Sequence, residues 1–302
     1  MKNLLKMMDL NLKEIYQILD LADQLKYEKK HGIEHKVLPG KSIGMIFDKV
    51  STRTRVSFEA GAFQLGAQAM FLSTRDLQIG RGEPIQDTAR TLSRYLDCLL
   101  IRTYDQSEIE MYAKYATIPV INGLTDFAHP CQVLADLMTI KEKYGLLEGI
   151  KLCYIGDGSN VANSLIVGAL TMKMKVSVAT PKGYEPHKDV LEFAQKFDTF
   201  SISNSPEEAI KDADVVVTDT WASMGMEDER TMRIGDFKGF TVNADLMSLA
   251  KPNAMVQHPL PAYRGQEITE DVFEAHSNEI FDEAENRLHV QNAIMVLLMK
   301  DE

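Results

Sequence analysis

SIGMIFDKVSTRTRVSFEAGAFQLG, residues 42–66, passes from an apolar run into a helical pattern through a turn crowded with hydroxyls and guanidiniums. The first six residues read as a short β-strand. From residue 52 the apolar positions Val56, Ala60, Phe63 and Ala67 fall on one stripe at helical spacing. Between them stand Ser51, Thr52, Arg53, Thr54 and Arg55. A helix start offers free N–H groups and the positive end of the helix dipole, so five polar donors there make a compact site for a phosphate. An ordinary N-cap with solvated arginines is the plainer alternative.

The same strand–turn–helix unit recurs in both directions. Residues 69–72 and 98–101 and a segment ending at 120–122 are strand-like, and 83–96 and 130–144 are helical, with Pro130 at a first helical position that needs no N–H. A second alternation starts near Gly149: strands at 151–155, 176–179, 214–218 and 254–256, helices at 160–172 and 189–196, and a long helical pattern over 283–300. This rhythm predicts an α/β protein with two doubly wound parallel-sheet domains of similar size. The first spans residues 1–145, with the C-terminal helix of about 284–302 packing back on it; the second spans 146–283. An active site is expected in a cleft between domains, at the carboxyl ends of parallel strands.

Composition narrows the function. The 302 residues carry 33 Lys and Arg against 44 Asp and Glu, a formal charge of −11. With 45% hydrophobic and 25% charged residues the chain is globular, not disordered. The acidic balance excludes general nucleic-acid binding, and an anionic ligand would need a local positive site. No apolar run is long enough to span a bilayer. Cys98, Cys131 and Cys153 form no CxxC pair, so neither a disulfide framework nor a structural zinc site is expected. A reduced, cytoplasmic setting follows.

Other junctions carry chemistry. His129 and Gln132 flank a helix start, where an imidazole can polarise a carbonyl oxygen. Gly156-Asp157-Gly158-Ser159-Asn160 invites a dinucleotide reading, but the third glycine is Val161 and Thr180-Pro181-Lys182 replaces the expected acid. These glycines serve a tight turn instead, and Asn160 offers an amide. Asp219 and Ser223, beside Gly225, suit an amine substrate, and Trp221 is as readily a core residue as a binding one. Pro259 and Pro261 stiffen a loop able to aim backbone carbonyls into a site. Arg287 opens the final helical segment, from which it can reach back toward the cleft.

Together, STRTR at 51–55, DLQIGRGEPIQDTAR at 76–90, HPCQ at 129–132, DTWASMG at 219–225, HPLPAYRG at 258–265 and EAENR at 283–287 resemble the aspartate/ornithine carbamoyltransferase family, in family order and over essentially the whole chain. Asp219 and Ser223-Met224-Gly225 are similar to the ornithine branch. The resemblance implies carbamoyl transfer from carbamoyl phosphate to L-ornithine, giving citrulline and phosphate, with no metal and no organic cofactor. It implies that Ser51, Thr52, Arg53, Thr54 and Arg287 hold the phosphate. Arg102, His129 and Gln132 would hold the carbamoyl group and act in catalysis, with Pro259 and Leu260 on the carbamoyl-phosphate side. Gln78 would enter a neighbouring subunit's site, which implies a homotrimer or an assembly of trimers. Asn160, Asp219, Ser223 and Met224 match ornithine-binding positions.

One departure stands out. The ornithine branch usually reads His-Cys-Leu-Pro where this chain has His258-Pro259-Leu260-Pro261, as in the aspartate branch. The missing thiol leaves putrescine or a modified ornithine as alternative amines. A non-catalytic relative that only binds carbamoyl phosphate is a further alternative, opposed by the intact set of candidate residues.

Overall fold

The computed structural model describes residues 1–222 and 229–300, which divide into two compact units. Unit 1 comprises Met1–Ala135 and the segment from Asn286 onward; unit 2 is Asp136–Glu285.

Unit 1 opens with α1 (Leu12–Lys30), whose start is closed reciprocally: Asn11 accepts from the Glu14 N–H, and Glu14 accepts from that of Asn11, both at 3.0 Å. Then follow β1 (Ser42–Phe47), α2 (Thr52–Gln64), β2 (Gln68–Ser73), α3 (Ile85–Leu92), β3 (Cys98–Arg102), α4 (Gln106–Tyr115), β4 (Val120–Leu124) and the start of α5 (Pro130–Tyr144). The sheet is parallel throughout, in the order β2-β1-β3-β4. β3 is buried along its whole length, and Ile46, Leu99, Ile101, Tyr112 and Val120 pack into one apolar cluster. Strands that lie between two helical layers read as continuous apolar runs, as Cys98-Leu-Leu-Ile does.

Unit 2 contains β5 (Lys151–Ile155), α6 (Asn160–Thr171), β6 (Lys175–Ala179), α7 (Lys188–Ala194), β7 (Phe200–Ser203), α8 (Pro206–Ile210), β8 (Val215–Thr218), α9 (Arg230–Asp236), α10 (Ala244–Met247), β9 (Met255–Gln257), α11 (Glu270–Ala275) and part of α12 (Ser277–Met299). Its sheet is also parallel, in the order β7-β6-β5-β8-β9. Trp221 is a core residue, 5% exposed and stacked on Phe237 at 5.3 Å.

In each sheet the chain first winds outward one way and then returns to the other side of its first strand. The reversal falls between β1 and β3 in unit 1 and between β5 and β8 in unit 2. Residues just past the carboxyl ends of those strands therefore face the crevice where open α/β sheets take ligands.

The helix expected over 52–66 is α2, and its Val56–Phe63 stripe faces outward: Val56 is 56% and Phe63 80% exposed. The buried face carries Thr54, Phe58, Gly61 and Ala62. An apolar count overlooks it because a threonine and a glycine lie on it. Gly61 packs close to Asn292, whose amide would have to shift for a Cβ, since that Cβ would stand 2.0 Å from its Oδ1. The helix expected over 83–96 is shorter, because Pro84 occupies the N-cap of α3. β7 was not anticipated; it is an edge strand, reads Phe-Ser-Ile-Ser and lacks a continuous apolar run.

The turn after β5 is tight for a packing reason. A Cβ on Gly158 would lie 2.3 Å from both Glu185 C and Pro186 N, backbone atoms that cannot rotate away. Gly235, on α9, has no neighbour within 4 Å of such a Cβ. Gly158→Ala is expected to destabilise the protein by about 2 kcal/mol or more, and Gly235→Ala to leave it unchanged or stabilise it by up to about 1 kcal/mol. Urea unfolding of the two variants checks the contrast.

Candidate active site

β1 ends at Phe47, level with Arg102 at the end of β3. Ser51 caps α2 by accepting the Thr54 N–H at 3.1 Å, which turns Thr54 into the sheet end, fully buried. Thr54 Oγ1 then accepts Arg287 Nη2 at 2.9 Å and, more weakly, Arg102 Nη1 at 3.5 Å. Arg287 Nη1 donates to Gln132 Oε1 at 2.8 Å. One threonine thus gathers two guanidiniums, and one of those orients a glutamine from α5. Arg102, His129 and Arg287 are each 4% exposed, and Gln132 is 1% exposed.

The electrostatics of this cluster are one-sided. Burial lowers Arg102 from its ordinary value to about 9, and the Arg287 and Arg53 guanidiniums add to the effect. Burial also holds His129 well below the usual imidazole range, assisted by Arg287, Arg102 and Arg53. His129 is therefore uncharged near neutrality, with its ring nitrogens available for hydrogen bonding. It leads into α5, where its carbonyl accepts the Gln132 N–H at 3.1 Å. Such a group of donors is built for an anion and for a carbonyl oxygen that gains charge.

The other expected residues of unit 1 lie around this group. Thr52 is exposed and Arg53 half-buried at the start of α2. Arg55 turns aside, bonded to Glu59 at 3.0 Å and lying over the Phe71 ring at 3.8 Å. Gln78 heads an exposed 3₁₀ turn, Gln78–Arg81. Lys49 was missed by motif reading. It is 5% exposed, paired with Asp126 and 4.1 Å from the Tyr104 ring, and so ties the turn before Ser51 to the loop before His129. Only its position between an apolar strand and STRTR marked it.

In unit 2, Asn160 opens α6 after β5, Asp219 follows β8, and Pro259 and Leu260 follow β9. Asn160 is 6% and Asp219 8% exposed. Burial raises the Asp219 carboxyl, against the pull of the Thr220 N–H at 2.7 Å. Arg233, also overlooked by motif reading, bonds Asp157 Oδ2 at 2.9 Å and the Trp221 carbonyl at 2.8 Å. It joins the turn that carries Asn160 to the segment that carries Asp219. Burial pushes Asp157 up to about 6 despite this partner. Ser223, Met224 and Gly225 lie outside the described residues. Among the described residues, no cluster of three or more His, Cys, Asp or Glu could hold a metal, and no helix is long and apolar enough to cross a membrane.

Two parallel α/β units, one with a guanidinium cradle and one with buried acids at its strand ends, define an α/β protein of two doubly wound domains. The chain belongs to the aspartate/ornithine carbamoyltransferase family: the model of the carbamoyl-P binding domain matches residues 2–142, and that of the Asp/Orn binding domain matches residues 148–298. It is 54% identical to the ornithine carbamoyltransferase of Caldicellulosiruptor saccharolyticus, over 99% of this chain and 98% of that protein. The solved ornithine carbamoyltransferase of Pyrococcus furiosus superimposes with a TM-score of 0.94 at 49% identity, covering 99% of this chain and 97% of that one. The anabolic ornithine carbamoyltransferase of Campylobacter jejuni gives 0.93 at 42% identity, with 99% of both chains covered.

The burial of His129 has a consequence for stability. Its folded-state pKa lies well below the ordinary 6.5, so the unfolded chain takes up a proton that the folded protein refuses. Stability conferred above the ordinary value is then lost as pH falls below about 6.5, by up to about 1.4 kcal/mol per pH unit from this group alone. His129→Gln should flatten that slope between about pH 6.5 and pH 5, read as the difference in urea midpoint between variant and wild type.

Proposed function

We propose that this protein transfers the carbamoyl group of carbamoyl phosphate to the side-chain amine of L-ornithine, giving citrulline and inorganic phosphate. The observation that carries the reading is the convergence of Thr54, Arg102, Gln132 and Arg287 by hydrogen bonds, with His129 and Arg53 in their field. Ser51, Thr52, Arg53, Thr54 and Arg287 bind the phosphate. Arg102 and His129 donate to the carbamoyl oxygen, and Gln132 to the carbamoyl amide side. The neutral amine attacks the carbamoyl carbon, the oxygen becomes an oxyanion held by these donors, and the C–O bond to phosphate breaks. The departing phosphate takes the amine proton. Asn160 and Asp219, with Ser223 and Met224, hold the α-amino and α-carboxylate groups, and the carbonyls of Pro259 and Leu260 meet the substrates.

The active form is a homotrimer in the cytoplasm, with Gln78 completing a neighbour's site. The outward stripe of α2 supports self-association: Val56 and Phe63 are exposed beside edge strand β2, where Phe71 is also exposed. Apolar side chains of this size on one face mark an interface.

A panel of ornithine, putrescine, acetylornithine, lysine and aspartate with carbamoyl phosphate tests the chemistry. Citrulline from ornithine is the expected product, and faster turnover of another amine would displace the reading. Arg102→Gln should lower kcat by about 10²–10³-fold, the scale of one lost oxyanion donor. Phe63→Glu should shift sedimentation from trimer toward monomer and lower activity with it; an unchanged trimer would remove this face from the interface.

A further inference from the structure

The turn that follows β9 is organised around two buried side chains that no motif assigned to the reaction. His258 is 1% exposed and Glu267 is 0% exposed. His258 Nδ1 accepts the Leu260 N–H at 2.9 Å, and His258 Nε2 meets Glu267 Oε1 at 3.0 Å. Glu267 Oε1 also accepts the Tyr263 N–H at 2.6 Å, and the His258 N–H is held by Glu283 at 2.9 Å. A backbone N–H can only donate, so Nδ1 must be bare and the imidazole proton must sit on Nε2, facing the Glu267 oxygen. The carboxylate therefore selects the tautomer, and the tautomer supplies the acceptor for Leu260.

That acceptor matters because Leu260 has φ 56°, in the left-handed region that a bulky residue disfavours. Such a conformation persists where its surroundings over-determine it, and the Leu260 N–H bond to His258 is the local tie. The directions of the Pro259 and Leu260 carbonyls are set by the same turn. Proline at 259 supplies neither thiol nor N–H, so the backbone is what this turn can offer a substrate by hydrogen bonding.

We propose that His258 and Glu267 are positioning residues of the transfer reaction: Glu267 fixes the His258 tautomer, and His258 holds Leu260 so that the Pro259 and Leu260 carbonyls are presented to the substrates. The inference rests on the proposed function, in which those carbonyls meet the substrates.

Asn and Gln at position 258 separate positioning from bulk stability. His258→Asn places an amide oxygen near the Nδ1 position and can still accept the Leu260 N–H. His258→Gln reaches toward Glu267 and leaves that N–H bare. Glu267→Gln keeps an acceptor for the imidazole, whereas Glu267→Leu removes it. His258→Asn and Glu267→Gln should stay within about 5-fold of wild type in kcat/KM for ornithine, and His258→Gln and Glu267→Leu should lose about 30-fold or more, the scale of one buried hydrogen bond. His258→Asn and His258→Gln should share a thermal midpoint to within a few degrees. His258→Gln equal to or better than His258→Asn, or losses that track the midpoint alone, would overturn the inference. Neutron diffraction from wild-type crystals tests the premise without any variant: a deuteron on Nε2 and none on Nδ1 is expected, and one on Nδ1 overturns it. Absence of citrulline from the wild type would instead refute the proposed function, which separates the two failures.

Discussion

Unit 1 buries the Arg102 guanidinium on neutral hydrogen-bond acceptors. Arg102 bonds to the Thr54 hydroxyl and the Gly123 carbonyl, both neutral acceptors at 3.5 Å, and its Nε has no partner among the described residues. Arg287 shares the same threonine, and Arg53 adds to the field. Burying cations side by side costs several kcal/mol per charge unless something offsets it. Folding supplies the scaffold that tolerates the cost: a fully buried β3, a threonine turned inward by the Ser51 cap, and a glutamine oriented from α5. An anion entering the cradle would offset that cost, and donors already in place are the condition under which a developing oxyanion is stabilised most.

Both sheets use the same rule to present their residues. Each reverses direction next to its first strand, and the candidate groups stand at the end of β3 and in the segments past β1 and β4 in one unit, and past β5, β8 and β9 in the other. Parallel pairing fixes which residues end level with one another, as Phe47 does with Arg102 and Ile155 with Thr218. A one-residue slip of β3 would swing Arg102 to the opposite sheet face, because side chains alternate along a strand. Glycine supports the same precision in unit 2, where Gly158 lets the turn bearing Asp157 and Asn160 pass against the backbone of residues 184–186.

Much of this was legible in the sequence because strands between two helical layers are apolar runs and polar strand ends stand out against them. STRTR, His129 and Gln132 were visible for that reason. The C-terminal location of Arg287, 233 residues from Thr54, became meaningful only as part of the family motif set. Lys49 and Arg233 were not legible. A single buried lysine looks like a solvated one until Asp126 and Tyr104 are seen around it. Arg233 sits in a helix whose other residues are mostly exposed, and its carboxylate partner Asp157 is 76 residues away in sequence. Hydrophobic periodicity puts Val56 and Phe63 on one stripe of α2 but does not say whether that stripe faces the core or solvent, and here it faces outward.

The net charge of −11 and the cationic cradle are compatible for a reason of range. At physiological ionic strength, surface charges are screened beyond about 8 Å, so the acidic exterior contributes little inside a buried cluster. Within such a cluster, opposite charges at about 4 Å interact by about 4 kcal/mol at an effective dielectric of 20. Local arrangement therefore decides which ligand each unit accepts. Unit 1 collects guanidiniums and keeps its histidine neutral, which suits phosphate and a developing oxyanion. Unit 2 buries Asp219 and Asp157, whose carboxyls burial has raised. For Asp219, a substrate ammonium at contact distance would favour the charged form again, so binding and ionisation reinforce each other. The sign at each set of strand ends is thus set by a few buried residues: guanidiniums in unit 1, and Asp219 in unit 2, where Asp157 is already held by Arg233.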